Sequence, residues 1–113
     1  MENCLFCKIA AGEIPSRVAY EDENIFCFHD INPQAPVHVL VIPRAHIGGA
    51  DEVTEENSAL VAQIFAKIPQ IAASLGLANG YRVITNCGPD ACQSVRHLHF
   101  HILGGGQLGE QMG

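Results

Sequence analysis

Apolar and polar residues alternate strictly along His97-Leu98-His99-Phe100-His101-Ile102, which is the period of a strand with one face in a core. Leu98, Phe100 and Ile102 are expected to face inward, and the three imidazoles to share the opposite face at steps of roughly 7 Å. Similar runs rich in β-branched and aromatic residues mark a strand over 95–103 and four earlier ones, over 17–20, 25–29, 37–42 and 81–86. Glu21-Asp22-Glu23-Asn24 is a polar turn of hairpin length between the first two. Pro33 and Pro36 stiffen the loop over 30–36, and Cys87-Gly88-Pro89-Asp90-Ala91-Cys92-Gln93-Ser94 is a polar loop that would border the histidines.

Two stretches repeat apolar residues at helical spacing. The first, over 4–11, places Leu5, Phe6 and Ile9 on one side, with Asn3 as cap and Gly12 as stop. The second carries Leu60, Val61, Ile64, Phe65, Ile68, Ile71, Ala72 and Leu75, with Thr54 as cap and Gly76 as stop. Pro69 lies inside it and deletes one backbone bond, so the helix is expected to kink or divide near 65–68. Short turns favour antiparallel neighbours, and the long helix would bridge strands three and four. The expected fold is α+β, a five-stranded antiparallel meander with one long helix and a short N-terminal helix, in a single domain over 1–113.

Composition narrows the partners. The net charge of −6 and the absence of any Lys/Arg cluster disfavour extended nucleic acid, while leaving room for one small phosphate ester held by neutral donors. No uncharged run approaches the span of a transmembrane helix, and Met1-Glu2-Asn3-Cys4 lacks the basic opening of a secretory leader, so a cytoplasmic protein without a membrane partner is expected. Five cysteines in such a chain speak against a disulfide framework and for thiols that are buried, metal-bound or reactive. Cys27, Cys87 and Cys92 read most simply as packing or loop thiols. The two-residue gap between Cys4 and Cys7 suits either a buried or redox-active pair or two ligands of one metal ion, which would need two more.

Imidazole titrates near neutrality, and when uncharged it can be a nucleophile, a base or a ligand, so three in alternation make a concentrated reactive surface. Together with Phe6-Cys7-Lys8-Ile9, Gly12-Glu13-Ile14-Pro15, Phe28-His29-Asp30-Ile31-Asn32-Pro33-Gln34-Ala35-Pro36, His38-Val39-Leu40-Val41-Ile42-Pro43, Gly80-Tyr81-Arg82 and Gln93-Ser94-Val95, taken in order, the segment closely resembles the histidine-triad family, and within it the Hint branch of nucleotide hydrolases.

The resemblance implies a fold, a reaction and a site. His99 would attack the α-phosphorus of a purine nucleoside 5′-phosphoramidate of AMP type, forming a nucleotidyl-histidine that water resolves, with no cofactor required for catalysis. The carbonyl of His97 would fix the His99 tautomer. His101 and His38 would line the phosphate site, and Asn86, Gln93 and Ser94 would donate to phosphate oxygens or to the departing amine. Asp30 would accept the ribose hydroxyls, and Leu5, Phe6, Ile9, Ile14, Phe28 and Ile31 would enclose the base or, as apolar faces do, simply pack a core. A structural zinc ion on Cys4, Cys7, His46 and His97 and a two-fold homodimer are also implied. The better-studied Hint proteins carry a C-terminal Trp that reaches the neighbouring subunit's site, and this chain has no Trp. Two other readings share these residues: a dinucleoside polyphosphate hydrolase and a non-catalytic nucleotide-binding regulatory module.

Overall fold

Phe26, Cys27 and Phe28 are all buried, and so are Leu40, Val41 and Ile42, so the middle of the sheet is covered on both faces. This computed structural model describes residues 3–112. Met1 and Glu2, part of the stretch read for a leader, and Gly113 at the end of the tail lie outside the described residues. The elements in order are helix α1 (Leu5–Ala10), strands β1 (Val18–Glu21), β2 (Ile25–His29) and β3 (Val37–Pro43), helix α2 (Ser58–Ser74), and strands β4 (Tyr81–Ile84) and β5 (Phe100–Gly104). The expected class holds: one antiparallel five-stranded sheet, one long helix and a short N-terminal helix.

The strands stand in the order β1-β2-β3-β5-β4, so the meander follows the sequence through β3 and then exchanges its last two members. Long-range bonds put β5 beside β3. Leu98 donates its backbone N–H to Ile47, just past the end of β3, at 2.6 Å, and the His97 ring reaches the Pro43 carbonyl at 2.8 Å. β4 is left as an edge, as expected for that segment.

One sheet face carries Cys27, Val39, Val41, Phe100 and Ile102 against Ile64, Ile68, Ile71 and Ala72 of α2. Leu98 joins this cluster, so the inward positions of the alternating segment are as expected. The other face carries Phe26, Phe28, Leu40 and Ile42 against Phe6, Ile9 and Ala10 of α1. That short helix covers only part of its face. The remainder, over β3, β5 and β4, holds His38, His101 and Arg82, with His38 and Arg82 both opposite Leu103 in the ladder.

Several boundaries differ from the sequence expectation for local reasons. β5 begins at Phe100, not at 95, because the His97 N–H returns to the Val95 carbonyl at 2.8 Å in a three-residue turn. β4 ends at Ile84, and Thr85 next to it turns its hydroxyl to the His99 carbonyl at 2.8 Å. Cys4, not Asn3, caps α1, its Sγ accepting the Cys7 N–H at 3.4 Å, while Gly12 stops the helix with a φ of 80°. Asn57, not Thr54, stands at the start of α2. The Thr54 carbonyl accepts from Ser58 at 2.9 Å, so a loose turn precedes the regular helix.

Pro69 does not divide α2, which runs unbroken for 17 residues. The bond it deletes would have ended on the carbonyl of Phe65, and both residues lie on the exposed side, where water can serve that carbonyl. Among the described residues no helix is long and apolar enough to cross a membrane.

Candidate active site and metal cluster

His97 and His99 are buried, and His101 is half-buried. The alternation therefore does not build an open imidazole surface. It divides the three rings between two neighbouring sites. His99 donates its Nδ1–H to the His97 carbonyl at 2.6 Å. A backbone carbonyl can only accept, so this bond fixes the neutral tautomer and leaves the lone pair on Nε2. The ring lies edge-on to Phe6 at 5.0 Å and to His101 at 5.1 Å. Burial lowers its pKa from the ordinary histidine value, against the pull of the His97 carbonyl and of Asp30, so His99 is neutral at pH 7.

A second chain of bonds fixes two more rings. The backbone N–H of Gln34 donates to His38 Nδ1 at 3.0 Å, so the proton of neutral His38 sits on Nε2. That Nε2–H donates to His101 Nδ1 at 2.8 Å, with the Asp30 carboxylate 3.4 Å from the same nitrogen. His101 therefore carries its proton on Nε2, as a donor. Burial, then the neighbouring His99 and His38, push its pKa down to about 4. Burial also lowers His38, against the pull of Asp30. Asp30, His38 and His101 crowd their polar atoms within 4.8 Å, but a His38 Nε2 that bears a proton has no lone pair for a metal. This group is a hydrogen-bonded relay.

His38, His101 and Asn86 line one cleft of about 370 Å³, together with Arg82 and with Leu108 of the C-terminal tail. Ser94 is exposed and lines a second, of about 480 Å³, with Leu5, Val95, His46 and Cys4. Gln93 is placed differently from the donor role implied for it. Its amide nitrogen donates to the Gly48 and Val95 carbonyls at 2.8 and 3.0 Å, and its oxygen accepts from Gly88 and Arg96 at 2.9 Å each. Both amide protons are taken, so Gln93 shapes the loop that presents Ser94. Asp30 Oδ1 accepts the Asn32 N–H at 2.8 Å, so the carboxylate closes a turn while its other oxygen faces His38.

The apolar set separates into two groups. Phe6, Ile9 and Phe28 are buried in the cluster beneath α1, with Ile14 partly packed against it, whereas Leu5 is exposed and Ile31 wholly so.

Cys4, Cys7, His46 and His97 bring one ligand atom each to within 4.8 Å of one another. His97 Nδ1 lies 3.3 Å from Cys4 Sγ and 3.5 Å from Cys7 Sγ, and His46 Nδ1 lies 3.4 Å from Cys7 Sγ. Zinc bonds of about 2.3 Å to sulfur and about 2.05 Å to nitrogen give a tetrahedron whose sulfur–nitrogen edges are about 3.5 Å. The donors thus already stand at zinc spacing. The His97 Nε2–H donates to the Pro43 carbonyl at 2.8 Å, which turns the Nδ1 lone pair to the thiols as a metal ligand requires. Burial pushes the His97 pKa down to about 4, and burial, then the bond to Cys4, raises that of Cys7. The donor set fits zinc, whose binding would expel the thiol protons.

Sequence reasoning missed four contributors: the Pro43 carbonyl, the Gln34 N–H, the Thr85 hydroxyl on the His99 carbonyl, and Arg82 with the tail. Arg82 donates to the Gly109 and Gln111 carbonyls at 2.6 and 3.2 Å. Backbone groups carry no side-chain signal. Arg82 on the edge strand and Thr85 just past its end had one in their position beside the histidines.

Residues 3–113 match a family described as the scavenger mRNA decapping enzyme C-terminal binding family. Protein HitA of Neisseria gonorrhoeae is 45% identical over 104 residues, covering 92% of this chain and 97% of that protein. The 14 kDa zinc-binding protein of Zea mays is 45% identical over 106 residues, covering 92% and 83%. Among solved structures, a HIT family hydrolase from Clostridium thermocellum superposes with a TM-score of 0.95 at 49% identity, over 99% of this chain and 98% of that one. With these relatives and the His97-x-His99-x-His101 site in this fold, the chain belongs to the histidine-triad (HIT) family.

Proposed function

We propose that the protein is a nucleotide hydrolase of the Hint branch that cleaves purine nucleoside 5′-phosphoramidates at the α-phosphorus through a nucleotidyl intermediate on His99. The observation that carries this reading is the 2.6 Å bond from His99 Nδ1–H to the His97 carbonyl. It leaves Nε2 as a lone pair on a ring that burial keeps neutral, which is the form a nucleophile needs.

In the first step Nε2 of His99 bonds to phosphorus as the phosphorus–nitrogen bond to the amine breaks. The amine leaves with a proton donated by the hydroxyl of Ser94, which lines the neighbouring cleft beside Val95 and regains a proton from water. In the second step water adds to phosphorus as the phosphorus–Nε2 bond to His99 breaks, one water proton replaces the one given to the amine, and the nucleotide leaves with the hydroxyl while His99 regains its lone pair. His101 Nε2–H and Asn86 serve as neutral donors to the phosphate oxygens, suited to a chain of net charge −6 that has few cations to offer. The relay from Gln34 through His38 holds His101 in its donor tautomer throughout. Asp30 takes the ribose at the mouth, beside the exposed Ile31.

The Cys4, Cys7, His46 and His97 set is read as a zinc site. Zinc there neutralises two thiolates and ties α1 to the segments after β3 and before β5, and no step of the reaction passes through it. The half-exposed Phe65 on α2 and Tyr81 on the β4 edge support a two-fold homodimer that covers both.

The direct test supplies purified protein with adenosine 5′-phosphoramidate and, separately, diadenosine tetraphosphate. Faster turnover of the phosphoramidate, with an acid-labile adenylyl-protein on rapid quenching, is the expected result. Preference for the tetraphosphate would move the assignment to the sister hydrolase. Binding of AMP without turnover of either would leave a regulatory module.

A further inference from the structure

The His97 carbonyl that orients the nucleophile lies outside the regular ladder; its peptide unit is pinned on the other side, where the Leu98 N–H donates at 2.6 Å to the Ile47 carbonyl, next to His46. Regular pairing of β5 begins at Phe100, and the three-residue turn at 95–97 has already broken the extended run. His97 itself is anchored by its N–H on Val95 and, from the side-chain end, by its ring. Nε2–H is bonded to Pro43 at 2.8 Å, while Nδ1 sits between two thiols at 3.3 and 3.5 Å, with the His46 ring edge-on at 5.0 Å. The same residue thus faces the metal cluster with its side chain and the nucleophile with its backbone, 2.6 Å from His99.

We propose that Cys4, Cys7 and His46 form a positioning site for catalysis: by gripping His97 through a shared zinc ion, they hold its carbonyl on the Nδ1–H of His99. The proposal rests on the reading of His99 as nucleophile. Without the grip, the ring keeps one hydrogen bond, to Pro43, and the peptide unit keeps the bond to Ile47, whose neighbour His46 has lost its own hold on the metal. The carbonyl then relaxes, and His99 exchanges into the tautomer with its proton on Nε2, the nitrogen that must attack. Both tautomers are neutral and both leave the nucleotide's contacts in place, so the loss falls on kcat and not on binding. Nucleophile and metal cluster are coupled through one residue, and Cys4, Cys7 and His46 act through it as positioning residues.

The test uses 15N-histidine-labelled protein as purified, after chelator treatment, and as the double variant Cys4→Ser with Cys7→Ser. Long-range 1H–15N spectra of the His99 ring report its tautomer directly. Zinc content, kcat, KM and AMP affinity are measured on the same samples. The zinc-loaded protein should show His99 as a single Nδ1–H tautomer. The metal-free folded forms should show a mixture, with kcat lower by at least about tenfold and AMP affinity changed by less than about threefold. His46→Cys, which keeps a fourth zinc donor in place, should retain the wild-type spectrum and kcat that His46→Asn loses.

Should removal of both thiols unfold the chain, His46→Asn and exchange of zinc for the larger cadmium keep the question open to measurement, since either must shift the His99 ring nitrogens. Metal-free folded protein with an unchanged tautomer and unchanged kcat overturns the proposal, as does an unmoved His99 spectrum on cadmium exchange. If the wild-type protein turns over neither substrate, the proposed reaction fails, and the His99 spectrum still decides the positioning role by itself.

Discussion

His99 and His97 are joined by a 2.6 Å bond from ring Nδ1–H to backbone carbonyl, which makes a two-residue step in the sequence into an orienting device for the nucleophile. His99→Asn keeps a polar group of similar reach but removes the attacking nitrogen. Turnover of adenosine 5′-phosphoramidate should fall by about a thousandfold or more, with AMP affinity nearly unchanged. Steady-state kinetics beside calorimetric titration of AMP check both halves. Retention of more than about a tenth of the wild-type rate would take His99 out of that role.

Acid should destabilise the protein through its buried imidazoles. His101, at 6.5 when unperturbed, is pushed down to about 4 in the folded chain. Between those values the unfolded state binds the proton and the folded state does not, so the unfolded state gains as pH falls. Stability is full above about 6.5 and is lost progressively toward about 4. The lowered pKa of His38 acts in the same direction. Melting temperature followed from pH 7.5 to about 4.5 should drop through this window, and His101→Asn should make the slope shallower. A variant with the wild-type slope would place the acid sensitivity elsewhere.

The elements were legible where a period was long enough to read. Eight apolar residues at helical spacing announced α2, and Leu98, Phe100 and Ile102 announced the core side of the last segment. What escaped is decided by contacts distant in the chain. The place of β5 between β3 and β4 depends on Leu98 meeting Ile47 and on His97 meeting Pro43. Strict alternation over 97–102 reads as extended throughout, and nothing in the side chains marks the turn on Val95 that breaks it. The chemistry was legible in part for the same reason. The residues of the metal cluster were named from the sequence, and the structure brings all four together. The saturation of the Gln93 amide and the Gln34 bond that fixes His38 involve backbone groups, which no pattern of side chains displays.

Metal analysis of purified protein should find about one zinc per chain. Cys4→Ser with Cys7→Ser should lose it, and the melting temperature should fall by at least about 5 °C, because the ion binds the folded arrangement and not the unfolded chain. Loading metal-free protein should release protons, since the thiols must ionise to ligate and burial holds Cys7 in its protonated form. Protein that carries no zinc and melts at the same temperature with and without its two thiols would remove the metal site.

Phe65 presents half of its surface to solvent although its ring edge meets Phe100 at 5.3 Å, and Tyr81 at the start of β4 is 38% exposed. β4 is also one of the two edge strands of the sheet, with β1 at the other end. Covering an apolar helix face and an open edge at once is what a second copy of the same chain can do about a two-fold axis. Sedimentation at micromolar concentration should give twice the 12.1 kDa chain mass. Phe65→Lys places a charge on that face at little expense to the core, because half of the ring is already in water, and should shift the equilibrium toward monomer with the fold intact by circular dichroism. A wild-type monomer at those concentrations, or a Phe65→Lys protein that remains as dimeric as the wild type, would place the association surface elsewhere or show that there is none.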